Sequence, residues 1–231
     1  MQSIISIDIG ILHLAVIKVG FFGGQREQAY DYTVLQLGLF DVKDGVAARM
    51  KQDRQKSQAQ HTGELLIDHL LPFTKTQPGE ELIAIVIEQQ FGFGGNANNG
   101  MKSLSHRIHQ IFVSHFYPSV HTELVPPLIC FVSAASKFKV QQLPQQILDS
   151  GGLDPDQLAT KPLRKRYSVA LVKLYIEEDS SGRQWPDLPR IYFANLHHST
   201  NKAKNKQDDI ADVFLQALAY YELRVLKKNK K

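Results

Sequence analysis

The 231-residue chain contains one cysteine and one tryptophan. A single thiol excludes an internal disulfide and any zinc site built from cysteine pairs. Cys130 lies in the apolar run Leu128-Ile-Cys-Phe-Val132 and reads as a buried structural thiol. No uninterrupted apolar stretch approaches the roughly 20 residues of a membrane-spanning helix. A strand pattern begins at Ser3, leaving no room for a leader peptide, so a soluble, intracellular protein is expected, of unspecified compartment. Nucleotide-binding signatures are also missing. The glycine- and asparagine-rich segment 89–100 has neither the Gly-Lys-Ser/Thr of a phosphate loop nor the ordered three-glycine spacing of a dinucleotide fold. It is expected to be a mobile loop carrying two aromatics.

The formal net charge is only +4, yet the cations are unevenly placed. They cluster at Lys137 and Lys139, at Arg164-Lys165-Arg166, at Lys202, Lys204 and Lys206, and in the tail 227–231. Such clusters favour a polyanionic partner, with nucleic acid the leading candidate.

The first apolar run, Ser3-Ile-Ile-Ser-Ile-Asp-Ile-Gly10, reads as a buried β-strand with a carboxylate inside it. An unpaired buried carboxylate costs several kcal/mol or loses its charge. Asp8 therefore needs either a cation or hydrogen bonds from backbone or a turn. Residues 12–22 and 32–40 supply two more strand-like segments, separated by Gly23-Gly24. With no room for helices between them, the three strands are expected to form an antiparallel meander.

Helical spacing follows over 54–73, closed by Pro72 and the sequence Thr-Gln-Pro-Gly. The run Leu82-Ile-Ala-Ile-Val-Ile-Glu88 suits a central strand covered on both faces, and Glu88 repeats the anomaly of Asp8. If the two strands are neighbours, both acids emerge at one sheet edge, within reach of shared metal. A helix is expected over 101–116, with Lys102 and Arg107 off its apolar face. Two apolar segments, 121–125 and 128–132, flank a double proline and should give one further strand. Residues 140–162 look like an insertion, 163–177 like a helix opening on basic residues, and 179–189 like a loop in which Trp185 plugs an edge of the core. Cations at a helix N-terminus oppose its dipole, which points to a bound phosphate or another functional cause.

In the last helix Ile210, Val213, Phe214, Ala217, Leu218 and Tyr221 form a buried stripe. Asp208 and Asp209 at its start can be explained by the helix dipole. Asp212, flanked by buried positions, is explained less well, and it lies one turn from Asp209 on the same side. Cleavage of a phosphodiester by two divalent ions requires such carboxylates.

Taken in order, Ser6-Ile-Asp-Ile-Gly-Ile, Val86-Ile-Glu-Gln-Gln and Lys206-Gln-Asp-Asp-Ile-Ala-Asp resemble the ribonuclease H-like superfamily, and within it the RuvC-type Holliday junction resolvases, nearest the mitochondrial and poxvirus-like branch. The resemblance implies an α/β fold with a mixed five-stranded sheet, its first three strands antiparallel, flanked by helices in one domain spanning 1–231. It further implies a homodimeric endonuclease that makes paired nicks in four-way junction DNA with two Mg2+ or Mn2+ ions. Carried over, Asp8, Glu88, Asp209 and Asp212 are the catalytic residues, and Asp8, Glu88, Asp208, Asp209 and Asp212 the candidate metal ligands. Asp209 is favoured over Asp208 because it shares a face with Asp212. Phe91 takes the place of an aromatic that wedges into the junction. Lys102, Arg107, Lys137, Lys139, Arg164, Lys165, Arg166, Lys204 and Lys206 are expected to contact DNA. His13 stands where related proteins often have Asn, and Gln207 where a basic residue is common. Other readings are a related nuclease acting on RNA or RNA:DNA hybrid, an actin-like ATPase, and a non-cutting junction-binding protein.

Overall fold

The computed structural model describes residues 1–10, 13–23, 30–89, 99–117, 125–149, 160–197 and 206–227. Five strands form one sheet: β1 (Gln2–Ile9), β2 (His13–Gly23), β3 (Tyr30–Asp41), β4 (Glu81–Gln89) and β5 (Leu128–Ser133), in the order β3-β2-β1-β4-β5. The first three are antiparallel, as the short connections require, whereas β4 and β5 join parallel to β1. This is the mixed sheet expected for a ribonuclease H-like fold.

Because side chains alternate along a strand, the apolar runs of β1, β2 and β4 feed two separate cores. On one face Ile5, Ile7, Ile9, Leu14, Val16, Ile85 and Ile87 pack against α2 (Gln58–Leu70) and α3 (Asn99–Phe116), with Leu66, Leu70, Ile108 and Phe112 fully buried. On the other, Ile4, Ala15, Ile17, Val19, Ala84 and Val86 meet α7 (Gln207–Tyr220). Every α7 residue from Ile210 to Tyr220 is buried, because the helix lies between the sheet and a second layer made by α5 (Lys161–Glu178), α6 (Asp187–His197) and a 3-10 turn, Ala134–Lys139. Trp185 sits inside this core against Phe193 and Phe214. Among the described residues no helix is long and apolar enough to cross a membrane.

Several local expectations need revision. Residues 42–52 form an additional helix, α1 (Val42–Gln52), capped by Asp41, which accepts from the Asp44 N–H. Only Val42 and Val46 of α1 are buried, too short a stripe for its period to stand out. The expected loop 179–189 ends early, since α6 begins at Asp187 with Pro189 in its first turn, a position where the missing N–H costs nothing. The fifth strand occupies 128–133, and residues 118–124 lie outside the described ones. From the segment 140–162, a short helix α4 (Gln145–Asp149) is described. Ahead of it, the N–H groups of Gln141 and Gln142 donate to the buried Glu222 carboxylate, tying the segment to the π-helical end of the last helix.

Candidate active site

Asp8 and Glu88 reach one edge because β1 and β4 run parallel with Ile7 opposite Ile87, so the next residue of each strand is its acid. Both lie on the α7 face, in step with Ser6 and Val86. Just beyond Asp8, Gly10 donates its N–H to the His13 carbonyl at 2.8 Å. A Cβ on Gly10 would come within 3.0 Å of that oxygen, which accounts for the glycine of the Asp-x-Gly motif. Asp209 and Asp212 arrive from the first turns of α7, the helix that packs across β1 and β2. All four carboxylates therefore lie toward the same end of the α7–sheet boundary, supplied by two strand ends and one helix. Electrostatics register the convergence: burial first, then Glu88 and Asp212, and more weakly Asp209, push the Asp8 pKa well above the ordinary value. Burial and the neighbouring Asp208 raise that of Asp209.

Between Asp212 and Glu88 stands a cation, Lys137. Its ammonium lies 2.5 Å from Asp212 Oδ2 and 3.4 Å from Glu88 Oε2, and all three side chains are about nine-tenths buried. Burial works against the charged lysine, but Asp212, Glu88 and Asp8 outweigh it and hold its pKa above the usual value. Sequence reasoning placed Lys137 with the surface cations next to Lys139. The 3-10 turn after β5 instead packs on α7 and turns Lys137 inward while Lys139 stays exposed.

A second pair of cations serves the outer acids. Lys165 pairs with Asp208 and lies 3.9 Å from Asp209 Oδ1, and Lys206 lies 3.8 Å from Asp209 Oδ2. The basic start of α5 thus has a partner in the acidic start of α7, in addition to any phosphate. Asp208 faces Lys165, whereas Asp209 is among the groups that act on Asp8, which separates two acids adjacent in sequence. Arg164, Arg166 and Lys102 are exposed, and Arg107 donates to the Ala59 carbonyl at 2.7 Å, joining α3 to α2. Phe91 and Lys204 lie outside the described residues.

Two residues near the site carry structural tasks that the sequence reading missed. Gln216, one turn beyond Asp212, donates to Ser6 Oγ at 3.0 Å and toward the Val86 carbonyl at 3.5 Å. It ties α7 to both acid-bearing strands, two residues below each acid. The apolar stripe gave no signal for it, since Gln216 lies off that stripe; once the helix is enclosed, its buried amide must find partners. Gln207 is buried and donates to the Phe193 carbonyl at 2.8 Å, anchoring α7 to α6.

The donor set suits a hard divalent cation, which takes carboxylate oxygens. Asp212 Oδ1 is buried without a hydrogen-bond partner among the described residues, so a donor oxygen is available. No three acidic, histidine or cysteine side chains among the described residues close on one point at ligand distance. The chemistry of the cluster fits an ion, while its present arrangement is closed around Lys137.

No family model and no curated protein sequence matches the chain. Solved structures do. The yeast mitochondrial Holliday junction resolvase Ydc2 is similar over 97% of this chain and 80% of its own, at 14% identity and a TM-score of 0.52. The fowlpox virus Holliday junction resolvase aligns over 95% of this chain and 97% of its own, at 15% identity and a TM-score of 0.47. RuvC of Thermus thermophilus aligns over 95% and 93%, at 12% identity and a TM-score of 0.46. The chain has a ribonuclease H-like fold, shared over nearly its whole length with Ydc2.

Proposed function

We propose that the protein is a metal-dependent endonuclease that resolves four-way DNA junctions by paired nicks, acting as a homodimer. The observation that carries this reading is the gathering of Asp8, Glu88, Asp209 and Asp212 at one edge of a ribonuclease H-like sheet. In this reading Asp8 and Glu88 hold ligand positions from the rigid sheet, and Asp212 and Asp209 close the set from α7. When bound, two divalent ions supply an activated water and a charge partner for the departing oxygen. Gln216 keeps helix and strands in register beneath the acids, and Lys165 and Lys206 restrain Asp208 and Asp209. The exposed Lys102, Lys139, Arg164 and Arg166 supply phosphate contacts, with Phe91 and Lys204 as further candidates. Two symmetric cuts require two copies of the site, which is the reason for a dimer.

The test compares a synthetic four-way junction with linear duplex and RNA:DNA hybrid in Mg2+ and in Mn2+. Symmetric nicking of the junction with the other substrates uncut supports the proposal. Strong hybrid cleavage beside an intact junction replaces it with a ribonuclease. Junction affinity should also fall steeply with salt, as phosphate neutralisation requires. A flat response removes the cationic residues from the interface.

A further inference from the structure

We infer that Lys137 is a built-in counter-ion standing in the place of a divalent cation, so that metal loading of this site is an exchange: the ammonium leaves as the ion enters. The inference rests on the metal-dependent reading above and adds to it a residue that competes with the metal.

Four carboxylates brought together by two strands and a helix repel one another, and a cation among them relieves that repulsion when no metal is bound. Lys137 meets that need from an element outside the acid-bearing ones, the 3-10 turn Ala134–Lys139. Its ammonium touches Asp212 and Glu88, which come from opposite sides of the α7–sheet boundary, and it acts electrostatically on Asp8. The contrast with the other lysines is informative. Lys165 and Lys206 lie at the rim, with side chains 38% and 29% exposed, whereas that of Lys137 is 10% exposed.

Two features mark the position as a temporary one. Asp212 uses Oδ2 for the lysine while its buried Oδ1 has no partner among the described residues, so a ligand oxygen is left over. The acids, although close, do not converge as ligands among the described residues, as follows if the space between Glu88 and Asp212 is held by an ammonium that donates to both. A lysine suits such exchange better than arginine would. Its charge is compact and readily rehydrated, and its four-carbon stem can swing without moving the backbone. Lys139, two residues along the same turn, already extends into solvent.

The exchange is tested on the wild-type chain by acylating lysines with N-hydroxysuccinimidyl acetate and reading peptides by mass spectrometry, with and without saturating Ca2+ or Mn2+. Lys137 should be among the slowest lysines to react without metal, and at least about fivefold faster with it, while the buried Lys18 stays protected in both. Titration calorimetry gives the second arm. Lys137→Met removes the competitor, so Mn2+ should bind about tenfold or more tightly to the variant than to wild type. If calorimetry shows the ion bound while Lys137 stays protected, or if the variant binds Mn2+ no more tightly, the exchange is wrong and the metal-dependent reading survives. If neither protein binds a divalent ion at millimolar concentration, both readings fall.

Discussion

Lys18 and Glu80 form an ion pair at the end of the sheet away from the acid cluster, and replacing Lys18 with Met should destabilise the chain by about 3 kcal/mol. The two groups lie 2.5 Å apart with side chains 3% and 1% exposed, beneath the exposed segment 75–79, so direct water contact is small. Removing one partner of such a pair costs about 3–5 kcal/mol, because the other charge stays buried. Glu80 keeps two donors, the Ser3 hydroxyl at 2.7 Å and the Gln77 N–H at 2.9 Å, which puts the loss at the lower end of that range. A domain holds only about 5–15 kcal/mol in all, so the effect is large. Its pH dependence follows from the same contacts. Burial raises the Glu80 pKa, but Lys18, Ser3 and the Gln77 N–H outweigh it and hold it below 4.5. A depressed carboxylate stabilises the fold above its unfolded value, and that contribution is lost as pH falls through the folded one. The gap between wild type and variant should therefore be full at pH 7 and shrink below about pH 4. Urea unfolding followed by Trp185 fluorescence measures both. Replacing Glu80 with Met as well should recover most of the loss, since apolar substitutes for a buried pair are often neutral. A loss under about 1 kcal/mol, or one equal at both pH values, would refute the reasoning.

Two other perturbations act on the site itself. Asp8→Asn should abolish divalent-dependent cleavage while stabilising the metal-free chain, because burial, Glu88 and Asp212 disfavour the Asp8 carboxylate. A raised folded pKa means that the native state holds its proton longer, so wild-type stability declines as pH rises above the unfolded value, and the advantage of the variant grows. Urea midpoints at pH 5 and pH 8 measure it, and a variant less stable than wild type at pH 8 contradicts the electrostatics. Gln216→Met leaves the Ser6 hydroxyl buried without its partner and should cost about 1–3 kcal/mol. Cleavage by the folded variant should also slow while junction affinity holds, and an unchanged rate would show that the acids keep their register without the glutamine.

The sheet was legible because its signals are local. Three β-branched runs separated by too few residues for a helix leave an antiparallel meander as the solution, and a longer interval filled by helices returns the chain in parallel at β4. Asp8 and Glu88 were legible for a related reason: a charge at the end of an apolar strand is costly wherever it lies, so each announces a need for a partner. Asp209 and Asp212 followed from helical spacing. Lys137 did not, because a lysine in Lys-Phe-Lys carries the same pattern whether it faces water or acids, and only the packing of the 3-10 turn on α7 decides. Gln216 was hidden differently. The apolar stripe suggested one buried face, whereas α7 is enclosed on all sides, and a polar residue that would have faced water became a strut between strands.

The most direct measurement is the rate of nicking of a labelled four-way junction in Mn2+ by wild type and by Glu88→Gln, alongside junction binding by both in metal-free buffer. The account predicts paired nicks by wild type and none by the variant, with binding preserved in both. Full cleavage by Glu88→Gln would contradict the assignment of the four-carboxylate cluster as the catalytic centre.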